Sequence, residues 1–268
     1  MKFISKMALL LCTLSISTFV ASNDQQSAVQ VTLSEEVNWG YLNPLRGDKS
    51  PGAANLWGDR TQDTATGMLV RFKQGFASPP HIHNISYRGI VILGQMHNAD
   101  PNAEIQWMPT GSFWTQPAGD NHITAANGEY NLIYLEIDHG PYLVKPTQQQ
   151  FDNGEAPLNW HIDDMNWQVL DKDISPEVFT SRLWGTSSVG ESNGTLIKLP
   201  PHFSGVVTNQ TDDIKAVVIS GMLTLPSKQS LTPGSFVNLD KEAALAFHNE
   251  QPSLLYIRTS GKFSLKSK

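Results

Sequence analysis

Residues 75–94 have the sequence GFASPPHIHNISYRGIVILG, and this stretch decides how the rest of the chain is interpreted. Side chains two positions apart in a strand share a face, so His81 and His83 point the same way. Residues 111–122, GSFWTQPAGDNH, add His122 directly after a glycine bend. Three imidazoles on neighbouring strands can converge on one ion, so we predict a metal site at these histidines. The alternative, ordinary surface or core histidines, is favoured mainly where a histidine stands alone.

The two stretches resemble the two motifs of the cupin superfamily, G-x5-H-x-H-x3,4-E-x6-G and G-x5-P-x-G-x2-H-x3-N. Every spacing agrees as far as His122, but Tyr87 stands at the glutamate position and Ala126 at the final asparagine. The resemblance implies a jelly-roll β-barrel with a divalent metal ion in its mouth, held by His81, His83 and His122. Without the glutamate, the ligand set is similar to that of three-histidine cupin dioxygenases.

This resemblance leads us to predict an oxidoreductase, a non-haem metal-dependent dioxygenase acting on a small chelating substrate. Imidazole ligands suit several metals. Fe2+ or Zn2+ is expected, and Mn2+ or Ni2+ also fits. Tyr87 is the candidate catalytic residue, either as a hydrogen-bond donor to substrate or dioxygen or as a weak metal ligand. A tyrosine that only fills the barrel mouth is the alternative.

Two further hypotheses remain open. A non-catalytic metal or small-metabolite binding or sensing protein is favoured by the loss of the glutamate, which would otherwise be a candidate general base. Lewis-acid catalysis of an isomerase or lyase reaction is also open. His97 is either a fourth ligand or a solvent-exposed or supporting histidine. Three other polar residues could lie near the pocket: Gln95, Gln116 and Glu136.

Short motifs recur in the same order about 120–130 residues apart, which indicates a duplicated domain. The pairs are residues 56–58 with 183–185, 67–71 with 194–198, 79–81 with 200–202, 91–94 with 218–221, and 111–113 with 234–236. We predict an all-β protein of two tandem cupin domains, residues 23–155 and 156–268. By this alignment His202 matches His81, but Ser204 replaces His83 and Leu245 falls near the His122 position. The second domain is therefore predicted to be degenerate and to lack a metal.

Most segments have the β-branched and aromatic residues of short strands. One exception is predicted over residues 175–183, where Ser175, Pro176 and Glu177 are typical of the first turn of a helix.

The chain has 268 residues, 19 basic and 25 acidic side chains and a net charge of −6, which argues against a nucleic-acid partner. Residues 1–22 combine Lys2 and Lys6 with an apolar run and small residues, as in a signal peptide. We therefore expect a periplasmic or secreted protein with no membrane span in the mature chain. The only cysteine, Cys12, lies in this leader. The expected partner is a small-molecule substrate, and cupins commonly pair, so a homodimer is possible.

Overall fold

A computed structural model describes residues 28–208 and 213–268 of the protein. The predicted signal peptide, residues 1–22, lies outside the described residues. Among the described residues, no helix is long and apolar enough to cross a membrane. The structure is built from strands and three short 3-10 helices, which confirms the predicted all-β class.

The first half of the described chain carries twelve strands. They are β1 (Val29–Thr32), β2 (Gly40–Tyr41), β3 (Gly52–Trp57), β4 (Thr66–Phe72), β5 (His81–His83), β6 (Tyr87–Leu93), β7 (Met96–Ala99), β8 (Phe113–Gln116), β9 (Ile123–Ala126), β10 (Asn131–Ile137), β11 (Val144–Pro146) and β12 (Leu158–Trp160). The 3-10 helices are Pro44–Lys49, Thr147–Gln149 and Ile162–Asp164.

The second half carries eleven strands. They are β13 (Gln168–Asp171), β14 (Ser175–Gly185), β15 (Ser192–Leu199), β16 (Ser204–Thr208), β17 (Ile214–Ser220), β18 (Leu223–Thr224), β19 (Ser230–Leu231), β20 (Phe236–Leu239), β21 (Ala244–His248), β22 (Ser253–Ser260) and β23 (Ser264–Ser267).

Two large antiparallel sheets of seven strands dominate the architecture. Their strand orders are β12-β8-β6-β10-β4-β3-β2 and β1-β20-β17-β22-β15-β14-β13. Smaller sheets, β11-β5, β7-β9 and β19-β18-β21-β16-β23, complete the layers. Relative to the predicted boundary at residue 155, each large sheet takes an outer strand from the other domain, because β1 pairs with β20 and β12, which begins at Leu158, pairs with β8. The division at residue 155 stays a prediction, and this pairing adds that the two halves exchange strands.

The helix predicted over residues 175–183 is wrong, since these residues form most of β14. The Ser175 hydroxyl accepts a hydrogen bond from the Glu177 amide, as a capping serine would, but it does so after the turn that joins β13 to β14. Beyond it, the β-branched and aromatic run from Val178 to Thr180 pairs with strands on both sides. The sheet contacts therefore outweigh the local preference for a helix.

Each half contains the same close contact between a tryptophan, a glycine and a tyrosine. The indole N–H of Trp57 donates to the Tyr134 hydroxyl at 3.1 Å, and that of Trp184 donates to the Tyr256 hydroxyl at 3.0 Å. Gly67 and Gly194 lie beneath these pairs, where any Cβ atom would overlap the indole nitrogen. The equivalence of the two contacts supports the predicted duplication.

Strand β10 links the contact between the two halves to the wall of the cavity, because the side chains on its two faces have different neighbours. Ile133 and Leu135 face a cavity inside the first half. Tyr134 packs on Tyr256 of the other large sheet, and Glu136 bonds to it. Because side chains alternate along a strand, the β10 residues that line the cavity and those that contact the second half lie on opposite faces of the same strand.

The close approach of Gly67 to Trp57 can be tested by adding a methyl group at position 67. Gly67→Ala is expected to lower the free energy of unfolding by about 1–3 kcal/mol, because the added methyl group would overlap the Trp57 indole and the Tyr134 hydroxyl. Urea denaturation followed by tryptophan fluorescence measures the change. Gly40→Ala is the control, since its Cβ would have no neighbour closer than 3.7 Å. Equal stability of the two variants would contradict the close approach.

Candidate metal centre

Strand β5 and the residue before β9 bring the three predicted histidines together. The backbones of His81 and His122 exchange two hydrogen bonds of 3.0 Å, which fixes their side chains next to each other. His83 follows two positions later on the same face of β5. One nitrogen from each ring lies within 4.8 Å of the others, so the three histidines could hold a metal ion. The predicted convergence of His81, His83 and His122 is therefore confirmed.

Backbone carbonyl groups determine which ring nitrogen carries hydrogen in two of these histidines. The Nδ1 atom of His81 lies 2.9 Å from the carbonyl oxygen of Pro79, and that of His122 lies 3.1 Å from the carbonyl oxygen of Asp120. A carbonyl oxygen can only accept, so both Nδ1 atoms must be protonated in the neutral rings. The Nε2 atoms are left with free lone pairs, which is the state that binds metals.

His83 has a different environment. The ring is almost completely buried, and its Nε2 atom lies 3.3 Å from the hydroxyl group of Tyr142. Its Nδ1 atom is buried and has no hydrogen-bond partner among the described residues. The Leu143 backbone is a polar contact of this ring, and a bound cation would satisfy the ring nitrogen that turns to the cluster. The donor set thus fits a divalent ion such as Fe2+ or Zn2+.

Burial keeps all three rings neutral near neutral pH. It lowers the pKa of His122 to about 3, and His81 nearby adds to the effect. The pKa of His83 lies well below its ordinary value because of burial and the two neighbouring histidines. Burial also lowers the pKa of His81, with a smaller effect from the positive charge of Arg46. Neutral imidazoles are the form that ligates a metal, so the environment favours binding.

His81 and His83, whose rings both contact His122, line a largely apolar cavity. Its volume is about 700 Å³ including the part open to solvent. The apolar lining includes Phe72, Phe76, Trp114, Ile133, Leu135 and Val144. Arg46, from the first 3-10 helix, lies at the edge and forms no ion pair among the described residues. No carboxylate is among the described lining residues.

Two tyrosines face the histidine cluster. Tyr87 begins β6, is nearly fully buried, and places its hydroxyl oxygen 3.0 Å from Asn98 Oδ1 and 3.3 Å from His122 Nε2. Burial raises the pKa of Tyr87 well above its usual value. Tyr142 places its hydroxyl oxygen 3.3 Å from His83 Nε2, and the two phenol rings are edge-to-face neighbours with centroids 5.7 Å apart. Tyr87, which stands at the glutamate position of the motif, therefore borders the cluster, and its catalytic role stays a prediction.

Tyr142 and Arg46 were missed by the sequence analysis. Tyr142 lies 59 residues after His83, just before β11, outside both motifs. Arg46 belongs to an Arg-Gly-Asp turn whose residue types indicate only a turn. Neither has a local signal, so only the folded chain brings them to the cavity.

The other polar candidates lie in different places. His97 is buried on β7, accepts from the Gln106 amide at 3.2 Å and packs against Trp107. It is buried and not part of the cluster, so of the alternatives for His97 the fourth ligand and the solvent-exposed histidine are wrong, and a supporting histidine stays a prediction. Gln116 supports the site through Asn98. Two others point elsewhere: Gln95 bonds Asn127 near the surface, and Glu136 faces the second half.

The second half does not repeat the histidine cluster. His202 does not occupy the place of His81 as expected. It lies in a turn equivalent to that of Gly75, since both have positive φ angles and Phe76 and Phe203 accept equivalent backbone hydrogen bonds. At the sheet positions of the cluster, β16 and β21 instead pair Val207 with Leu245, and both are buried. An apolar interior explains why this half offers no such metal site among its described residues.

Comparison with known proteins identifies the family. The model of the family described as "Domain of unknown function (DUF4437)" matches residues 30–266, so the chain belongs to that family. No curated protein matches the sequence.

Solved structures share the fold at low sequence identity. A proposed dioxygenase from Nostoc punctiforme is 16% identical with a TM-score of 0.66, and the alignment covers 86% of this chain and 81% of that one. The pirin YhhW of Escherichia coli, in complex with nickel(II), is 12% identical with a TM-score of 0.52, covering 87% and 100%. Salicylate 1,2-dioxygenase from Pseudoaminobacter salicylatoxidans, with gentisate adducts, is 11% identical with a TM-score of 0.53, covering 81% and 77%. These likenesses show the fold alone, and they confirm the two-cupin architecture.

The depressed histidine pKa values predict how stability depends on pH. For the metal-free protein, we expect the free energy of unfolding to fall as the pH is lowered from about 6.5 towards 3. In this pH range His122 is protonated in the unfolded chain but neutral in the folded protein, where its pKa is about 3. Protonation therefore stabilises the unfolded state. Each such histidine contributes at most about 1.4 kcal/mol per pH unit. Above pH 6.5 the effect should vanish, since both states are then neutral.

Urea unfolding at several pH values between these limits provides the measurement. His122→Leu should reduce the slope by up to one proton. Identical slopes for wild type and His122→Leu would show that His122 titrates normally in the fold.

Proposed function

We propose that this member of the DUF4437 family is a non-haem, metal-dependent dioxygenase that acts on a small chelating substrate. The observation that carries the proposal is the convergence of one ring nitrogen each from His81, His83 and His122 next to an apolar cavity open to solvent, which His81 and His83 line. A bound divalent ion, Fe2+ in the first instance, would supply open coordination positions for a substrate and dioxygen. Three neutral ligands leave such positions, as catalytic sites require and structural sites do not.

The residues around the cluster have separate tasks in this proposal. The carbonyl groups of Pro79 and Asp120 hold two imidazoles in the ligating tautomer. The aromatic and aliphatic walls exclude bulk water from the space above them. Tyr142 has His83 as its only hydrogen-bond contact among the described residues, so its hydroxyl can donate to a ligand in the cavity. Tyr87 also contacts the cluster, but its hydroxyl hydrogen is donated to Asn98 Oδ1.

Arg46 suggests the chemical class of the substrate. Its guanidinium group lies at the edge of a cavity whose other lining is mostly apolar, and it has no acidic partner among the described residues. A guanidinium group matches a carboxylate in shape and charge. We infer a small molecule that combines an apolar or aromatic body, a metal-chelating group and a carboxylate.

The comparisons agree with this class without establishing it. Two of the similar structures are named as dioxygenases, one of them only as a proposal. The structure of salicylate 1,2-dioxygenase contains gentisate adducts, so that protein handles a small aromatic acid.

A non-catalytic metal-dependent binding or sensing protein is the second candidate. It is favoured by the absence of any carboxylate among the described cavity residues, because no general base is then within reach of a ligand. We also propose that the chain is exported through residues 1–22 to the periplasm or beyond, and that it forms a homodimer.

Metal binding and oxygen consumption test the function together. Protein reconstituted with Fe2+ is expected to bind about one ion per chain and to consume oxygen with a member of a panel of enol-, diol- or thiol-bearing acids. His83→Ala should lose the bound metal, measured by elemental analysis, because a three-ligand site loses a third of its donors. His202→Ala, in the second half, should retain it.

The outcomes separate the candidates. Metal without oxygen consumption for any substrate would favour the binding protein over the dioxygenase. Full metal content in His83→Ala would move the site elsewhere and contradict both.

Arg46 makes a separate prediction about affinity. A benzoate with two adjacent hydroxyl groups should bind the metal-loaded protein more tightly than its neutral amide. Arg46→Gln should weaken binding of the benzoate by about tenfold, or about 1.4 kcal/mol, and leave the amide unaffected. Lys49→Gln is the control, since Lys49 lies in the same 3-10 helix but does not line the cavity. Equal losses for acid and amide in calorimetric titrations would contradict a carboxylate subsite.

A further inference from the structure

One backbone carbonyl sets the direction of a buried chain of hydrogen bonds next to the histidines. The carbonyl oxygen of Asp120 lies 3.2 Å from Gln116 Nε2 and 3.1 Å from His122 Nδ1. Because this oxygen can only accept, both nitrogen atoms must carry hydrogen. The carboxylate of Asp120, 3.3 Å from the same Gln116 nitrogen, enforces the same orientation. The amide oxygen of Gln116 therefore points inward.

The orientation of the Gln116 amide determines that of the Asn98 amide, and Asn98 in turn determines where the hydroxyl hydrogen of Tyr87 points. Gln116 Oε1 accepts from Asn98 Nδ2 at 2.8 Å, so Asn98 must turn its own oxygen towards the cluster. That oxygen accepts from the Tyr87 hydroxyl at 3.0 Å and from the Thr124 hydroxyl at 2.8 Å. Asn98 and Gln116 are both almost fully buried, so water does not offer them alternative partners. The two acceptors on Asp120 thus fix every amide in the chain.

This chain leaves two acceptor atoms facing each other. Tyr87 has one hydroxyl hydrogen, and Asn98 takes it, so the phenol oxygen can only accept from its neighbour Trp114 and turns a remaining lone pair to His122 Nε2 at 3.3 Å. That nitrogen has a lone pair too, because its ring hydrogen is on Nδ1. Two buried lone pairs with no hydrogen between them are unfavourable. A cation that both atoms contact would turn the repulsion into attraction.

We propose that the phenol oxygen of Tyr87 is a fourth protein ligand of the ion held by His81, His83 and His122. The inference rests on the proposed metal site and adds a neutral oxygen donor to it. Two ligands about 2.1 Å from one ion are separated by roughly 3.0–3.4 Å at octahedral to tetrahedral angles. The 3.3 Å between Tyr87 and His122 falls in that interval. Tyr142 differs, because no acceptor other than His83 draws its hydrogen away from the cluster.

Zinc affinity, measured by competition with a chelating dye, tests the proposal on the full chain. Tyr87→Phe should weaken Zn2+ binding about tenfold or more, and Tyr142→Phe should leave it within twofold. Tyr87→Glu should restore affinity at least to the level of wild type, since a carboxylate can ligate from the same position. A tyrosine that only fills space would not be rescued by a smaller, charged side chain. Equal affinity of Tyr87→Phe and wild type would overturn the proposal, as would Tyr87→Glu binding no better than Tyr87→Phe.

A second pair of variants tests the hydrogen-bond direction if the Tyr87 variants fail to fold. Asn98→Leu removes the acceptor, so the Tyr87 hydrogen should turn to His122 Nε2 and lower Zn2+ affinity by about tenfold. Asn159→Leu is the matched control, since Asn159 donates only to the backbone carbonyl of Asn98 and does not line the cavity, and it should have no effect. Unchanged affinity in Asn98→Leu would overturn the proposal. Absence of Zn2+ binding by wild type would instead remove the metal site itself, whereas loss of oxygen consumption alone would leave the Tyr87 ligand intact.

Discussion

The buried carboxylate of Glu136 constrains how the two halves of this protein fit together. It accepts hydrogen bonds from the hydroxyls of Tyr134 and Tyr256 at 3.0 and 2.9 Å, and from the guanidinium of Arg258 at 3.3 Å. Arg88 adds an ion pair at 3.7 Å. A carboxylate removed from water is tolerated only with such partners, so the register between the two large sheets has little freedom. Both arginines also pack on the indole ring of Trp184, which extends the network over the interface.

This interface also reflects the duplication. Tyr134 and Tyr256 are equivalent, each capping the same tryptophan contact, and two residues further along come Glu136 in one half and Arg258 in the other. Equivalent positions in the two halves thus carry side chains of opposite charge, and these two side chains meet across the interface. The strands that carry them continue directly into the site: Tyr87 precedes Arg88 on β6, and Leu135 precedes Glu136 on β10. A rigid interface therefore supports one side of the metal cavity.

The limits of prediction from sequence follow from which contacts are local. The spacing of His81 and His83 specifies a shared strand face, whereas the pairing of His81 with His122 is a long-range contact that the resemblance to the two cupin motifs predicted. Tyr142 and Arg46 reach the cavity from segments that only the tertiary fold brings near, so no spacing reveals them. The error at His202 has a different cause. The sequence Pro-Pro-His occurs in both halves, but the positive φ angle of His202 makes it the structural equivalent of Gly75 and not of His81. At residues 175–183, strand pairing on both sides prevailed over residues that favour a helix start.

The exchange of the motif's glutamate for Tyr87 changes the electrostatics of the site more than its shape. A carboxylate ligand would cancel part of the charge of a divalent ion, whereas three imidazoles and a phenol leave it at full strength. The described cavity residues supply no other negative group, and Arg46 adds a positive one at the opening. In an apolar, poorly hydrated space such charges are weakly screened. An anionic ligand would then gain attraction from both the ion and the guanidinium, so ion binding and substrate binding should reinforce each other, and the cavity would discriminate against neutral molecules of the same shape.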